Sequence, residues 1–138
     1  MGHFIVAGAS RRVGFKTVEL LRRLDHQVTC FFRSQGALDS IKDLGASPHI
    51  VDAFDAAAVE ALLRDSPKAD AFICALGSKP EDQHRIDHIG ASNCISLAKR
   101  FNISRFLLVT AIGCGATWEF LPEKVKQFLG PAIEAKNK

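Results

Sequence analysis

The sequence contains no tyrosine, so no phenol is available as a proton donor. It has no apolar run of about 18 residues, the length that a hydrophobic membrane span requires. Its N-terminus lacks a basic segment followed by a long apolar stretch, so no secretory leader is expected and the expected location is the cytoplasm. The four cysteines, Cys30, Cys74, Cys94 and Cys114, are too widely separated for a zinc knuckle or a redox dithiol, and no metal site is expected. Cys30 and Cys74 fall in apolar runs and read as buried, reduced core residues. The basic residues form no block and the formal charge is only +3, which argues against nucleic acid as the main partner and leaves room for a small anionic ligand. There is no internal repeat, low-complexity segment or linker. With 138 residues, 47% of them apolar and 24% charged, the expectation is one soluble globular domain.

What is present starts with Phe4-Ile5-Val6-Ala7-Gly8-Ala9-Ser10-Arg11-Arg12-Val13-Gly14, a buried strand running into a glycine turn that opens a helix. Backbone amides at such a helix start attract phosphate, which points to a dinucleotide. Gly8 allows a tight turn and Gly14 lets the helix approach the strand. Arg11 stands where the middle glycine of Gly-x-x-Gly-x-x-Gly would be, so the bare spacing also fits an ordinary strand-turn-helix.

The chain then alternates. Val13, Thr17, Leu20, Leu21 and Leu24 recur at helical spacing with Lys16, Glu19, Arg22 and Arg23 opposite, predicting a helix over 13–24 that Asp25 and His26 break. A β-branched and aromatic strand follows over 27–32, ending at Arg33 and Ser34. A short helix through Leu38, Ile41 and Leu44 closes at Gly45, and a brief strand over 48–51 stops at Asp52. Asp55 caps a helix over 56–64. A fourth strand over 69–77, a long helix over 81–100, a fifth strand over 105–110 and a small-residue loop over 111–115 complete the pattern. Continuous apolar strands with helical crossovers predict an α/β fold, a doubly wound parallel sheet of order 3-2-1-4-5 covered on both faces, with its ligand at the C-terminal strand edges.

In this architecture the tip of the second strand reads the adenosine ribose. A carboxylate there selects the free 2′-hydroxyl, whereas an arginine accommodates a 2′-phosphate. The tip here is Arg33-Ser34 with no acidic residue, and Arg11 in the glycine turn could reach the same phosphate, so NADP(H) is expected over NAD(H).

The chain resembles the atypical and extended short-chain dehydrogenase/reductases, Rossmann-like proteins that include NmrA-like and epimerase-like members. The turn from Gly8 through Ser10, Arg11, Arg12 and Val13 to Gly14 is similar to their glycine loop. Val51-Asp52-Ala53-Phe54-Asp55 resembles their acidic segment after strand three, where Asp52 would face the adenine with Ala53 beside it. Ala75-Leu76-Gly77 stands where the family backs the cofactor, Asp87-x-x-Gly90-x-x-Asn93 resembles the central-helix pattern, and 105–113 resembles the fifth strand and its ending.

The resemblance implies catalysis by a serine or threonine after strand five and a Tyr-x-x-x-Lys pair. If Lys136 is that lysine, Ala132 stands at the tyrosine and Ala111 at the serine, leaving Thr110 as a substitute and the usual acid–base mechanism unsupported. The chain also stops before the substrate-binding segment such proteins have, so it is expected to be either a fragment or a reduced cofactor-binding module. His84 and His88 lie four apart on the long helix but have no evident third ligand, and read as exposed helix residues. Cys114 reads as structural or incidental rather than nucleophilic. Trp118 and Phe120 either line a substrate pocket or cover the sheet edge, with packing favoured. Two functions fit: an NADP(H)-dependent reductase or epimerase acting on an unidentified small molecule, or a sensor that passes cofactor occupancy to a regulatory protein partner.

Overall fold

In the computed structural model, residues 1–79 and 86–138 are described. The elements are β1 (His3–Ala7), α1 (Arg12–Arg23), β2 (Gln27–Phe32), α2 (Leu38–Asp43, entered through a single 3-10 turn), β3 (Ser47–Ile50), α3 (Ala56–Asp65), β4 (Ala71–Cys74), α4 (Ile86–Arg100), β5 (Phe106–Leu108) and α5 (Glu123–Asn137). The expected helix start near Glu81, and His84, lie outside the described residues.

The five strands pair in the order β3-β2-β1-β4-β5, with every pair parallel, which is the expected order. Helices pack on both faces, and alternate strand residues feed two cores. Val6, Cys30 and Phe32 pack with Val18 of α1 and Ile41 of α2. Ile5, Ala7, Phe31, Phe72 and Cys74 pack with Val59 of α3 and Cys94 and Leu97 of α4. Phe31 meets Phe72 edge-on at 6.3 Å and Phe72 stacks on Phe106 at 5.2 Å, which ties β2, β4 and β5 across the small Ala7 of β1. Burying each such side chain contributes roughly 1.5–3 kcal/mol.

Local signals set the element ends. Asp55 accepts a hydrogen bond from the Ala58 amide at 3.0 Å and caps α3. Asp55→Ala should therefore cost about 1 kcal/mol, read as a lower chemical-denaturation midpoint with an unchanged slope. After α1 the His26 amide bonds back to the Leu21 carbonyl, with Asp25 in the left-handed region at φ 59°, so the helix stops where the sequence places the break.

Three expectations are corrected. The face of α1 turned to the core carries Gly14 and Val18, with Phe15 and Leu21 half-buried, whereas Val13, Leu20 and Leu24 are more than half exposed. Of the expected stripe, Thr17 and Leu21 are half-buried, and the close approach of Gly14 to the turn sets this rotation of the helix. The sheet is not covered throughout: β5 is its edge among the described residues, and Leu107 and Leu108 remain 53% and 41% exposed. Phe120 does not pack over the sheet edge; it is 85% exposed. Trp118 is half-buried, with the Lys126 ammonium 5.6 Å from its ring. No helix among the described residues is long and apolar enough to cross a membrane.

Candidate functional site

The site grows out of the end of β1. Gly8 has φ 79°, a region L side chains rarely adopt, and a Cβ there would lie 2.7 Å from the Ala75 carbonyl oxygen. The Gly8 amide donates to Phe31 O at 2.9 Å and the Ala75 amide to Ala7 O at 2.9 Å, so the turn is fixed between β2 and the end of β4. Gly14 lies on this turn, where a Cβ would collide with the Gly8 carbonyl oxygen. Arg12, the first residue of α1, has φ 49°. Arg11 precedes it as N-cap without any side-chain cap, and no acidic residue occupies the first turn. The free amides and the positive end of the helix dipole therefore open toward the adjoining cleft.

That cleft has a volume of about 770 Å³ and runs along the C-terminal strand edges. Gly8, Ser10, Arg11, Arg12 and Val13 line it at the glycine turn. Arg33, Ser34 and Ser40 line it beyond β2, and Val51 and Ala53 beyond β3. Ala75, Leu76, Gly77 and Ser78 form its wall after β4, joined by Val109 and Lys136. Five cationic residues, Arg11, Arg12, Arg33, Lys79 and Lys136, contribute to the lining, and no described carboxylate does. Lys136 is ion-paired with Asp87 at 3.0 Å, so Arg11, Arg12 and Arg33 carry the positive field here, and an anionic ligand matches it.

Of the residues singled out in the sequence, Gly14 and Asp52 stand behind the lining. Gly14 sits under the turn. The Asp52 carboxylate accepts from the Phe54 amide at 2.9 Å and shapes the loop that presents Ala53. Asn93 of α4 donates to Ala53 O at 2.9 Å from the other side. Thr110 is exposed and off the cleft, while its neighbour Val109 lines it. Ala132 is half-buried on α5, one turn before Lys136.

The Lys136 ammonium lies 3.0 Å from Asp87 Oδ1 and donates to the Leu76 and Val109 carbonyls at 3.3 Å each. Asp87 Oδ2 accepts from the Ser78 amide at 3.1 Å. Burial alone pushes the Asp87 carboxyl up, but its bonds from Ser78 and the Lys136 charge outweigh that and hold it below the usual carboxylate range. Asp87, Gly90 and Asn93 recur at helical spacing on α4, and two of the three hold cleft-forming backbone. Ser40, Ser78, Lys79 and the Asp87–Lys136 pairing were not found as site features in the sequence. Asp87 left a signal in the central-helix pattern and Lys136 as the candidate motif lysine, but nothing in the sequence joined the two.

The cysteines offer no nucleophile at the cleft. Burial pushes the Cys30 thiol up to about 12, and Cys94, hydrogen-bonded to Cys74 and buried, is also raised; Cys74 is lowered by that hydrogen bond but is fully buried and does not line the cleft. Cys114 is half-buried and does not line the cleft. His88 is half-buried, and no group of three metal-binding side chains occurs among the described residues.

Residues 8–138 match the NAD(P)H-binding domain family. Among solved structures, the chain superposes on ChuY, an anaerobillin reductase from Escherichia coli O157:H7, with a TM-score of 0.85 and 29% identity, covering 98% of this chain and 63% of that one. ChuY from E. coli strain CFT073 gives a TM-score of 0.81 and 27% identity, covering 99% and 62%. The Bordetella bronchiseptica enzyme WbmH, solved in complex with NAD+, shares the fold at a TM-score of 0.67 and 20% identity, covering 77% of this chain and 38% of that one. The chain thus spans under two thirds of the length of these solved relatives. No curated protein matches the sequence. Glycine turn, uncapped helix start and parallel sheet of order 3-2-1-4-5 define a Rossmann-like fold. The chain belongs to the NAD(P)H-binding family.

Proposed function

We propose that the cleft binds NADP(H) in preference to NAD(H), and that the chain serves as the cofactor-binding part of a reductase. The observation that carries this reading is the cluster of Arg11, Arg33, Ser34 and Ser40 lining a cleft with no described carboxylate, over a helix start whose amides no side chain caps. The pyrophosphate would lie on the glycine turn and the first amides of α1, with Gly8, Ser10, Arg12 and Val13 around it and Gly14 beneath. A 2′-phosphate would take charge-assisted bonds from Arg33 and Arg11. Ala53 would border the adenine on a loop shaped by Asp52, and Ala75, Leu76 and Gly77 would back the cofactor. The bound nicotinamide would supply a hydride, and the protein would position it.

Thr110 is exposed and off the cleft, so we assign it no part in the reductase reaction. Mixing the protein with NADPH and a panel of anaerobillin, flavins, quinones and aldehydes tests the reductase reading. Oxidation of NADPH above the protein-free rate with any acceptor supports a reductase. Tight NADPH binding without turnover supports the second reading, a sensor that reports cofactor occupancy to a protein partner, which the missing tyrosine favours. Absence of any dinucleotide binding overturns both.

A further inference from the structure

We infer that Lys136 and Asp87 form a buried strut that fixes the floor of the cleft, so that Lys136 is a positioning residue acting on the cofactor through the backbone it holds. The effect on the cofactor rests on the cleft being the dinucleotide site; the strut itself does not. The Asp87 side chain is 1% exposed and that of Lys136 14%. An ammonium group has three N–H donors. Here Asp87 Oδ1, Leu76 O and Val109 O engage all three, and none remains for a ribose hydroxyl. The second Asp87 oxygen takes the Ser78 amide. One ion pair therefore joins α4 and α5 to the segments that follow β4 and β5, and Leu76, Ser78 and Val109 all line the cleft.

The chemistry of the chain agrees with this assignment. With no tyrosine anywhere, the lysine has no phenol whose acidity it could tune, and Ala132 offers only a methyl group one turn away. A buried charge that loses its partner is strongly unfavourable, so the two residues should behave as a unit.

Amide hydrogen exchange, resolved to Gly77 and Ser78, and calorimetric titration with NADP+ test the strut in the wild type, Lys136→Met, Asp87→Asn and the double variant. Lys136→Met should weaken NADP+ by about tenfold and speed exchange at Ser78 by about tenfold or more beyond the acceleration at Val6 and Cys30 of the far core, which follows global stability. The double variant should be no worse than Lys136→Met alone, because the unit is already broken. Asp87→Asn, nearly isosteric and still able to accept from Ser78, should move both readouts in the same direction, and it keeps the test open if Lys136→Met does not fold.

Weakened NADP+ with unchanged exchange at Ser78 would overturn the strut and make Lys136 a direct cofactor contact. Additive losses in the double variant, or no change in Asp87→Asn, would overturn it equally. Faster exchange in the variants of a protein that binds neither NADP+ nor NAD+ would uphold the strut while removing the cofactor reading.

Discussion

Gly14→Ala should unfold the protein at a clearly lower temperature and weaken any dinucleotide it binds. The added Cβ would run into the Gly8 carbonyl oxygen, with the Gly8 carbonyl carbon at 2.8 Å and Ala9 Cα at 3.0 Å. All three are backbone atoms of a turn held by the Gly8 amide on Phe31 O and the Ala75 amide on Ala7 O, so none can step aside cheaply. Alanine gains about 1 kcal/mol over glycine as a helix residue, but overpacking against fixed backbone costs on the order of 3 kcal/mol. The net loss of about 2 kcal/mol corresponds to a fall of roughly 8 °C in the thermal midpoint of a domain this size. Because α1 must slide outward to relieve the contact, its first amides leave the place where a pyrophosphate would sit. Gly130→Ala is the control, since a Cβ there meets only the Trp118 ring at 3.7 Å and the exchange should leave the midpoint unchanged or raised. A midpoint for Gly14→Ala within 2 °C of wild type, set as about half a kcal/mol, would show that the turn can yield.

Arg33→Ala should weaken NADPH by roughly ten- to a hundredfold and leave NADH nearly unchanged, the equivalent of about 1.5–3 kcal/mol for one charge-assisted contact. Arg33 follows β2 directly, is exposed, and lines the cleft beside Ser34 and Ser40. No described carboxylate of the kind that selects a free 2′-hydroxyl shares that lining. Exposure makes the contact sensitive to salt. The preference should therefore shrink between about 0.01 and 0.15 M ionic strength, as the screening length falls from roughly 30 to 8 Å. Calorimetric titration of both cofactors into both proteins decides the matter. Equal wild-type affinity for NADPH and NADH would make Arg33 a plain surface charge, and an equal loss for both in the variant would place it on the pyrophosphate.

Much of this molecule is written in short-range patterns. The strand over 27–32 coincides with β2 because an unbroken β-branched and aromatic run between a helix break and a polar tip has few other uses. Gly8, Gly14, Asp25 and Asp55 could be read in place because a left-handed turn, a close approach, a helix break and a cap each demand particular residues within a few positions. Strand order followed from alternation and the handedness of crossovers. Side-chain direction was harder. Spacing misplaced the buried face of α1: of Val13, Thr17, Leu20, Leu21 and Leu24 it is Leu21 that packs on the core, beside Gly14 and Val18, because the contact of Gly14 with the turn sets the rotation of the helix. Beyond β3 the chain turns at once, with the Asp55 amide on Asp52 O at 3.0 Å and the Asp52 carboxylate folded back onto the Phe54 amide at 2.9 Å, so it is Ala53 rather than Asp52 that lines the cleft.

The sequence by itself determined the elements, their order and the glycine turn, because propensity, capping and glycine geometry act between residues a few positions apart. Only the tertiary structure decided what depends on distant segments meeting. It turned Gly14 onto the Gly8 carbonyl, left Leu107 and Leu108 of β5 in solvent, and gathered arginines from the ends of β1 and β2 into one cleft. It also joined Asp87 to Lys136 across α4 and α5, a pairing that no local pattern encodes, because the low-dielectric interior that makes two buried charges seek each other exists only once the chain has folded.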